Sequence, residues 1–159
     1  LAAALSTAAG LLLVISTSIS HDLITGFPTE TEEDHQETLS LMDYVGYDFG
    51  YMFYYSERPN TYAERKMDDD IPLEVKKRRL NDIIVKQQAL SLTNNKKHVG
   101  KTLEVLIEGS SKKSDSDWYG RTTFNTVAVF PKGDEKLGDF VNVKIEDCTT
   151  ATLMGKRVK

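Results

Sequence analysis

Within ten residues, Asp22-Leu23-Ile24-Thr25-Gly26-Phe27-Pro28-Thr29-Glu30-Thr31, an apolar strand stops, turns and hands over to a helix. Leu23 and Ile24 are strand material, and Gly26 admits positive φ or close approach of another part of the chain. Pro28 pins a turn. Thr31, followed three residues later by Asp34, is a helix start of the capping-box kind. A strand that ends this sharply and runs into a helix is the βα step that places ligand sites at the carboxyl ends of parallel strands.

The rest of the chain divides by periodicity. A strand is predicted over 18–26. A helix follows over 31–45, with Leu39, Met42 and Val45 on one stripe and Gly46 as its stop. Residues 48–55 are nearly all apolar or aromatic, as in a parallel strand covered on both faces. A loop with Arg58-Pro59-Asn60 leads to Pro72, a fitting first position for a long helix reaching about Asn94. Val75, Leu80, Ile83, Ile84, Gln87 and Leu90 line its inner side, while Lys76, Lys77, Arg78 and Arg79 are expected mostly outside. After Asn94 the period becomes two: Leu103, Val105 and Ile107 alternate with glutamates, 126–130 is a second strand, Val141, Val143 and Ile145 alternate with polar residues, and 149–154 is a last short strand. Ser114 to Gly120 reads as a polar loop. Short strands at this spacing, punctuated by glycines, indicate a small β-barrel.

An apolar fraction of 40% is enough for a core in one medium domain or two small ones. The single cysteine, Cys148, excludes an intrachain disulfide and points to a reducing compartment. His21, His35 and His98 are too far apart for metal-ligand spacing. Charge is uneven: residues 1–71 hold 3 basic and 13 acidic side chains, residues 72–97 hold 7 and 2, and residues 98–159 hold 10 and 9. A bound polyanion would therefore meet the second half; a solvated helix face is the plainer reading of the basic run. Residues 1–20 carry no charge. They lack the basic start of a signal peptide, and Ile15 to Ile19 reads as the beginning of the first strand. Residues 1–14 have no assignment, and a membrane-tethered or secreted protein stays as a third alternative on the strength of residues 1–20.

Four segments carry a resemblance. The first run is similar to the ISTDIIVGFPGETEEDF segment of the radical S-adenosylmethionine methylthiotransferases. Tyr51 to Ala63 resembles that family's FMFKYSxRPGTxA, and Ile71 to Leu80 its VPEEVKxRRL. Gly100 to Gly155, with Glu108-Gly109, Gly120-Arg121-Thr122, Asn125 and Val127 to Phe130, resembles a TRAM domain, an RNA-binding β-barrel. Within the family, Glu108-Gly109, Ser111-Lys112 and the 120–130 stretch resemble the tRNA enzyme rather than the relative that modifies a ribosomal protein. The departures are His21 for Thr, Asn60 for Gly, Phe124 for Gln and Thr126 for Lys; the last removes a positive charge from the expected RNA face.

The resemblance implies an α/β plus all-β chain: the end of a radical-SAM (βα) partial barrel over 1–71, a connector helix over 72–97, and a five-stranded TRAM/OB-like β-barrel over 98–159. It implies a cytoplasmic tRNA methylthiotransferase making the 2-methylthio derivative of N6-isopentenyladenosine beside the anticodon, with S-adenosylmethionine and two 4Fe–4S clusters as cofactors. Clusters need several soft thiolates, and one cysteine cannot supply them, so this chain would hold neither cluster, and whether it is an enzyme by itself stays open. A stand-alone RNA-binding module is the alternative. Gly26, Phe27 and Pro28, with Ser56 and Arg58 at the equivalent strand end, would form one wall of the S-adenosylmethionine pocket; a structural turn and a surface arginine are the plain readings of the same residues. Lys101, Lys112, Lys113, Arg121 and Lys132 would meet tRNA phosphates, and Trp118, Tyr119 and Phe124 would stack on unpaired bases, with Trp118 in its polar loop the foremost candidate. No membrane partner is expected. Residues 1–70, with two strand edges unpaired, are expected to pack less firmly than the barrel.

Overall fold

The computed structural model describes residues 20–158. The uncharged segment 1–14 and the strand start at 15–19 lie outside the described residues. The chain forms two compact units that meet at Leu90 and Ser91, inside one long helix.

In the first unit, β1 (Ser20–Thr25) runs parallel to β2 (Phe49–Tyr54), in register from Ser20 opposite Phe49 to Thr25 opposite Tyr54. Between them lies α1 (Glu32–Val45). Thr31 caps it as the sequence indicates: its hydroxyl accepts from the Asp34 amide at 3.1 Å, and Asp34 Oδ2 accepts from the Thr31 amide at 2.9 Å. Gly46, at φ 67°, ends it by donating to the Met42 carbonyl. A short α2 (Tyr62–Lys66) precedes α3 (Leu73–Lys96). Among the described residues Leu23, Met42 and Ile83 form a buried cluster, with Leu39, Tyr47, Met52 and Leu90 packed on them.

Two expectations for this unit are corrected. The β2 strand is not covered on both faces among the described residues: Tyr51 is 56% and Phe53 52% exposed. On α3, Ile83 and Gln87 face inward and Leu90 packs on the core as read, but two of the cations expected outside, Lys76 and Arg79, share that inner face. Lys76, Arg79, Ile83 and Gln87 are buried, whereas Lys77 and Arg78 face outward. Spacings of three and four put these side chains on one face of a 3.6-residue helix, and the two cations stay buried because carboxylates meet them there.

Glu32, in the first turn of α1, accepts from Arg78 Nη2 at 2.6 Å. That hydrogen bond is the main reason its carboxyl falls to about 2 from the ordinary 4.5. A depressed carboxylate contributes stability that is present above pH 4.5 and is lost as the pH falls toward 2. Both partners are half exposed, so the loss is small. Carbon-detected NMR should find the Glu32 midpoint near 2; a midpoint at the ordinary carboxylate value would refute the pairing.

The second unit contains β3 (Thr102–Ser111), β4 (Ser114–Thr122), β5 (Val127–Pro131), β6 (Phe140–Cys148) and β7 (Thr152–Arg157). These five strands pair in the order β3-β4-β5-β7-β6, and β6 pairs back on β3 to close the sheet as a barrel. All pairs are antiparallel except β5 with β7. Val105, Ile107, Ala128, Phe130, Val141, Val143, Ile145 and Leu153 fill the interior, so the period-two alternation points inward as read. Two segments differ. Ser114 to Gly120 is most of β4 rather than a loop: its inward positions are Trp118, Gly120 and Thr122, which carry little aliphatic signal, while Asp115 and Ser116 are exposed. The last strand begins at Thr152, because Thr149 closes a turn, its amide donating to the Thr152 carbonyl at 2.8 Å.

Candidate functional site

Because β1 and β2 are parallel, their carboxyl ends share one edge of the first unit, where the Tyr55 amide donates to the Thr25 carbonyl at 2.8 Å. Gly26-Phe27-Pro28 leaves from one strand and Ser56 from the other. Gly26 has φ +73°, and a Cβ there would lie 2.5 Å from Lys76 Cγ, so glycine is required both by backbone and by space. The Phe27 ring meets Tyr55 edge-on at 4.9 Å. Pro28 is fully buried. Ser56 and Arg58 are exposed, and the Arg58 carbonyl accepts from the Thr61 hydroxyl at 2.9 Å.

One buried ion pair, Arg79 with Glu30, and one that reaches the surface, Lys76 with Asp69, brace this turn. Glu30 Oε2 accepts from the Gly26 amide at 2.8 Å, and Oε1 accepts from Thr25 Oγ1 at 3.1 Å and from Arg79 Nη1 at 2.9 Å. Arg79 also donates to the Glu30 carbonyl at 3.0 Å. Lys76 Nζ lies 2.5 Å from Asp69 Oδ1, 3.4 Å from the Tyr55 carbonyl and 5.1 Å from the Tyr55 ring centre. Sequence reasoning missed Lys76 and Arg79; their three- and four-residue spacing to Ile83 and Gln87 was the available signal. The Gly26 and Thr29 amides are taken up by Glu30 and Asp70. Phe27 is half-buried, and Ser56 and Arg58 are exposed beside it at the second strand's exit.

In the second unit the candidate residues fall into two clusters at opposite ends of β4. At the hairpin end, Lys112 and Lys113 form the exposed tip between β3 and β4. Trp118 lies opposite Ser110 and Phe130, packed against the core. Its ring face is covered by the Lys132 ammonium at 4.5 Å, which also donates to Ser110 Oγ at 2.8 Å. A cation over an indole face is attractive, so a base stacking on that face has to displace Lys132. At the other end, Arg121 Nε donates to Glu108 Oε2 at 3.2 Å and Nη1 to Asn125 Oδ1 at 2.9 Å. Lys101 precedes β3 at this same end and is exposed. The next turn carries Phe124, 51% exposed, with its ring 5.2 Å from that of His98. Sequence reasoning did not pair these two rings, which are separated by two strands.

Among the described residues, no group of three or more His, Cys, Asp or Glu side chains is placed to hold a metal ion, and Cys148 is a free, half-buried thiol. No helix among them is long and apolar enough to cross a membrane.

Residues 96–158 match the TRAM domain family. The chain is 62% identical over 146 residues to the tRNA-2-methylthio-N(6)-dimethylallyladenosine synthase of Christiangramia forsetii, covering 92% of this chain and 30% of that protein. Proteins of the same name from Flavobacterium johnsoniae and Bacteroides fragilis are 55% and 50% identical over 92% of this chain and 30% and 32% of their own lengths. A solution structure of a conserved protein from Methanococcus maripaludis aligns with 38% of this chain and 80% of its own at 28% identity and a TM-score of 0.32. The chain thus spans about a third of the length of the curated relatives it matches. The resemblance carried by the motifs is therefore shown: over nearly its whole length this chain is similar to the tRNA-2-methylthio-N(6)-dimethylallyladenosine synthases, and it carries a TRAM domain.

Proposed function

We propose that this chain is the carboxyl-terminal portion of a cytoplasmic radical S-adenosylmethionine tRNA methylthiotransferase, and that its own contribution is to bind tRNA. The observation that carries this reading is the match at 62% identity over 92% of the chain. In this reading residues 1–71 end a (βα) partial barrel, 72–97 connect, and 98–159 are the RNA-binding barrel. The parallel β1–β2 pair, joined through α1, has the handover that such a partial barrel uses.

The phosphate contacts are assigned to Lys101, Lys112, Lys113, Arg121 and Lys132, which stand on loops and strand ends around the barrel. Arg121 is the most organised of them: Glu108 and Asn125 orient its planar fork, which suits a phosphate. The S-adenosylmethionine wall is assigned to Gly26, Phe27, Pro28, Ser56 and Arg58. Phe27 would supply the apolar face, and Ser56 and Arg58 the polar one, because the amides of Gly26 and Thr29 already donate to carboxylates. Iron–sulfur clusters do not fit the residues present: the described residues hold one thiol and no ligand group, and no step through a cluster is assigned to them.

The test is titration of the purified chain with an anticodon stem-loop across a salt series. Dissociation constants of about 10⁻⁴ to 10⁻⁶ M are expected at physiological salt. Arg121→Ala and Lys112→Ala should each weaken binding and lower the log–log salt slope by about one. Binding indifferent to both changes and to salt would overturn the assignment.

A further inference from the structure

The end of the barrel that carries Phe124 combines three properties that together suit an unpaired base held beside its phosphates. The first is an exposed aromatic ring on a rigid turn. Phe124 is 51% exposed. Its turn is closed by hydrogen bonds from the Asn125 amide to the Thr122 carbonyl at 2.9 Å and from the Thr122 amide to the Thr126 carbonyl at 3.0 Å. The buried Thr122 hydroxyl accepts from the Phe124 and Thr126 amides at 3.3 and 3.2 Å. Asn125 takes φ 61°, a left-handed position that asparagine tolerates. The ring is thus presented by a backbone with little freedom left to lose.

The second is a second ring behind it. His98 lies at 5.2 Å and 36° to Phe124. Its turn is held to β6 by the Gly100 amide donating to the Ile145 carbonyl at 2.8 Å and by the Ile145 amide donating to the Lys101 carbonyl at 2.9 Å. The third is charge. The turn from Lys96 to Lys101 contains three lysines and no acid, and Arg121 is hydrogen-bonded to Asn125 of the facing turn. Glu108 is the acid beside Arg121.

We infer that Phe124, backed by His98, is a stacking shelf for an unpaired base of RNA, with the neighbouring phosphates on Lys97, Lys101 and Arg121. The inference rests on the RNA-binding reading above and adds the residue that holds the base. Exposed aromatics among cations are how proteins hold single strands without reading sequence: every base has a π-face, and the cations follow the backbone. The shelf is distinct from Trp118, whose ring face already holds the Lys132 ammonium.

The experiment uses the whole chain and a single-stranded RNA twelve-mer with one central 2-aminopurine, whose fluorescence is quenched on stacking. The wild type should bind and quench. Phe124→Ala should weaken binding about 5- to 150-fold, the range for losing one base–aromatic stack. It should also abolish the quench and leave the salt slope unchanged, since no phosphate contact is removed. Phe124→Tyr should keep both affinity and quench. Circular dichroism of Phe124→Ala should match the wild type, because the ring is not in the core. If Lys112→Ala weakens binding while Phe124→Ala changes neither affinity nor quench, the RNA-binding reading stands and the shelf falls. If the wild type binds no RNA, both fall. If Phe124→Ala abolishes a concentration-dependent self-association and leaves RNA binding intact, the ring serves a contact between copies and the inference is overturned.

Discussion

Replacing Arg79 with methionine is expected to cost the first unit about 3–5 kcal/mol, the range for removing one partner of a buried ion pair. Arg79 and Glu30 have side chains only 5% and 7% exposed, and Glu30 accepts hydrogen bonds from Thr25, Gly26 and Arg79 together. Without the guanidinium the carboxylate is left in a dry site with two neutral donors. Among the described residues the unit's main apolar cluster has three buried side chains, and a loss of this size is a large part of the stability of a small unit. Hydrogen exchange resolved by segment is the appropriate measurement, because the two units need not unfold together. Amides of β1 and α1 should lose protection, while residues 102–157 keep theirs. The double change Arg79→Met with Glu30→Leu should recover only part of the loss, since it removes the stranded charge but leaves the buried Thr25 hydroxyl and Gly26 amide without their acceptor. A single variant within about 1 kcal/mol of the wild type would show that the pair is not desolvated as drawn.

Gly120→Ala is expected to be the most damaging one-methyl change in the second unit. A Cβ at Gly120 would lie 2.1 Å from the Leu106 carbonyl oxygen and 2.7 Å from Val105 Cγ1. Both strands are locked into a closed sheet, so the backbone cannot move aside cheaply. Overpacking of a tight interior costs about 1–3 kcal/mol and sometimes more, and a backbone atom as the obstacle puts this site at the top of that range. Trp118, the single tryptophan, sits two residues away, so its emission reports unfolding of this unit in urea. Gly133→Ala is the control. Its Cβ would meet the Glu135 carboxylate at 2.9 Å, a side-chain end held by the Gly133 amide and Arg157 but not a strand backbone, so a loss of about 1 kcal/mol, smaller than at Gly120, is expected. Equal midpoints for the two variants would refute the steric account.

These two sites mark where local reading ends. The handover at Thr25 to Thr31 was legible because cap and turn chemistry acts over three or four residues: Thr31 with Asp34 and Gly26 with its positive φ need no distant partner. The inward residues of β3 and β6 were legible for the same reason, since a strand's two faces alternate whatever it pairs with. The β4 strand was not, because its inward positions are a tryptophan, a glycine and a threonine, and only the pairing with β3 and β5 supplies the missing aliphatic signal.

Lys76 and Arg79 show the same limit in charge. Their helical phase is written in the sequence, but a cation is placed inside only when a carboxylate is waiting, and Asp69 and Glu30 reach them through the fold. The candidate RNA residues divide likewise. That Lys112, Lys113 and Lys101 are exposed followed from their loop positions. That Lys132 covers Trp118, and that Phe124 stands on His98, follows from strand pairing that joins residues 14 and 26 apart.

By itself, then, the amino-acid order determined the turn chemistry, the element types, the division between a helical half and a β half, and the family resemblance, all of which depend on residues near one another or on motif strings. Tertiary structure alone decided which cations are buried, which aromatic ring remains open to a partner, and which glycine no other residue can replace. Those outcomes depend on the charge or atom that the fold brings to each site from a distant part of the chain.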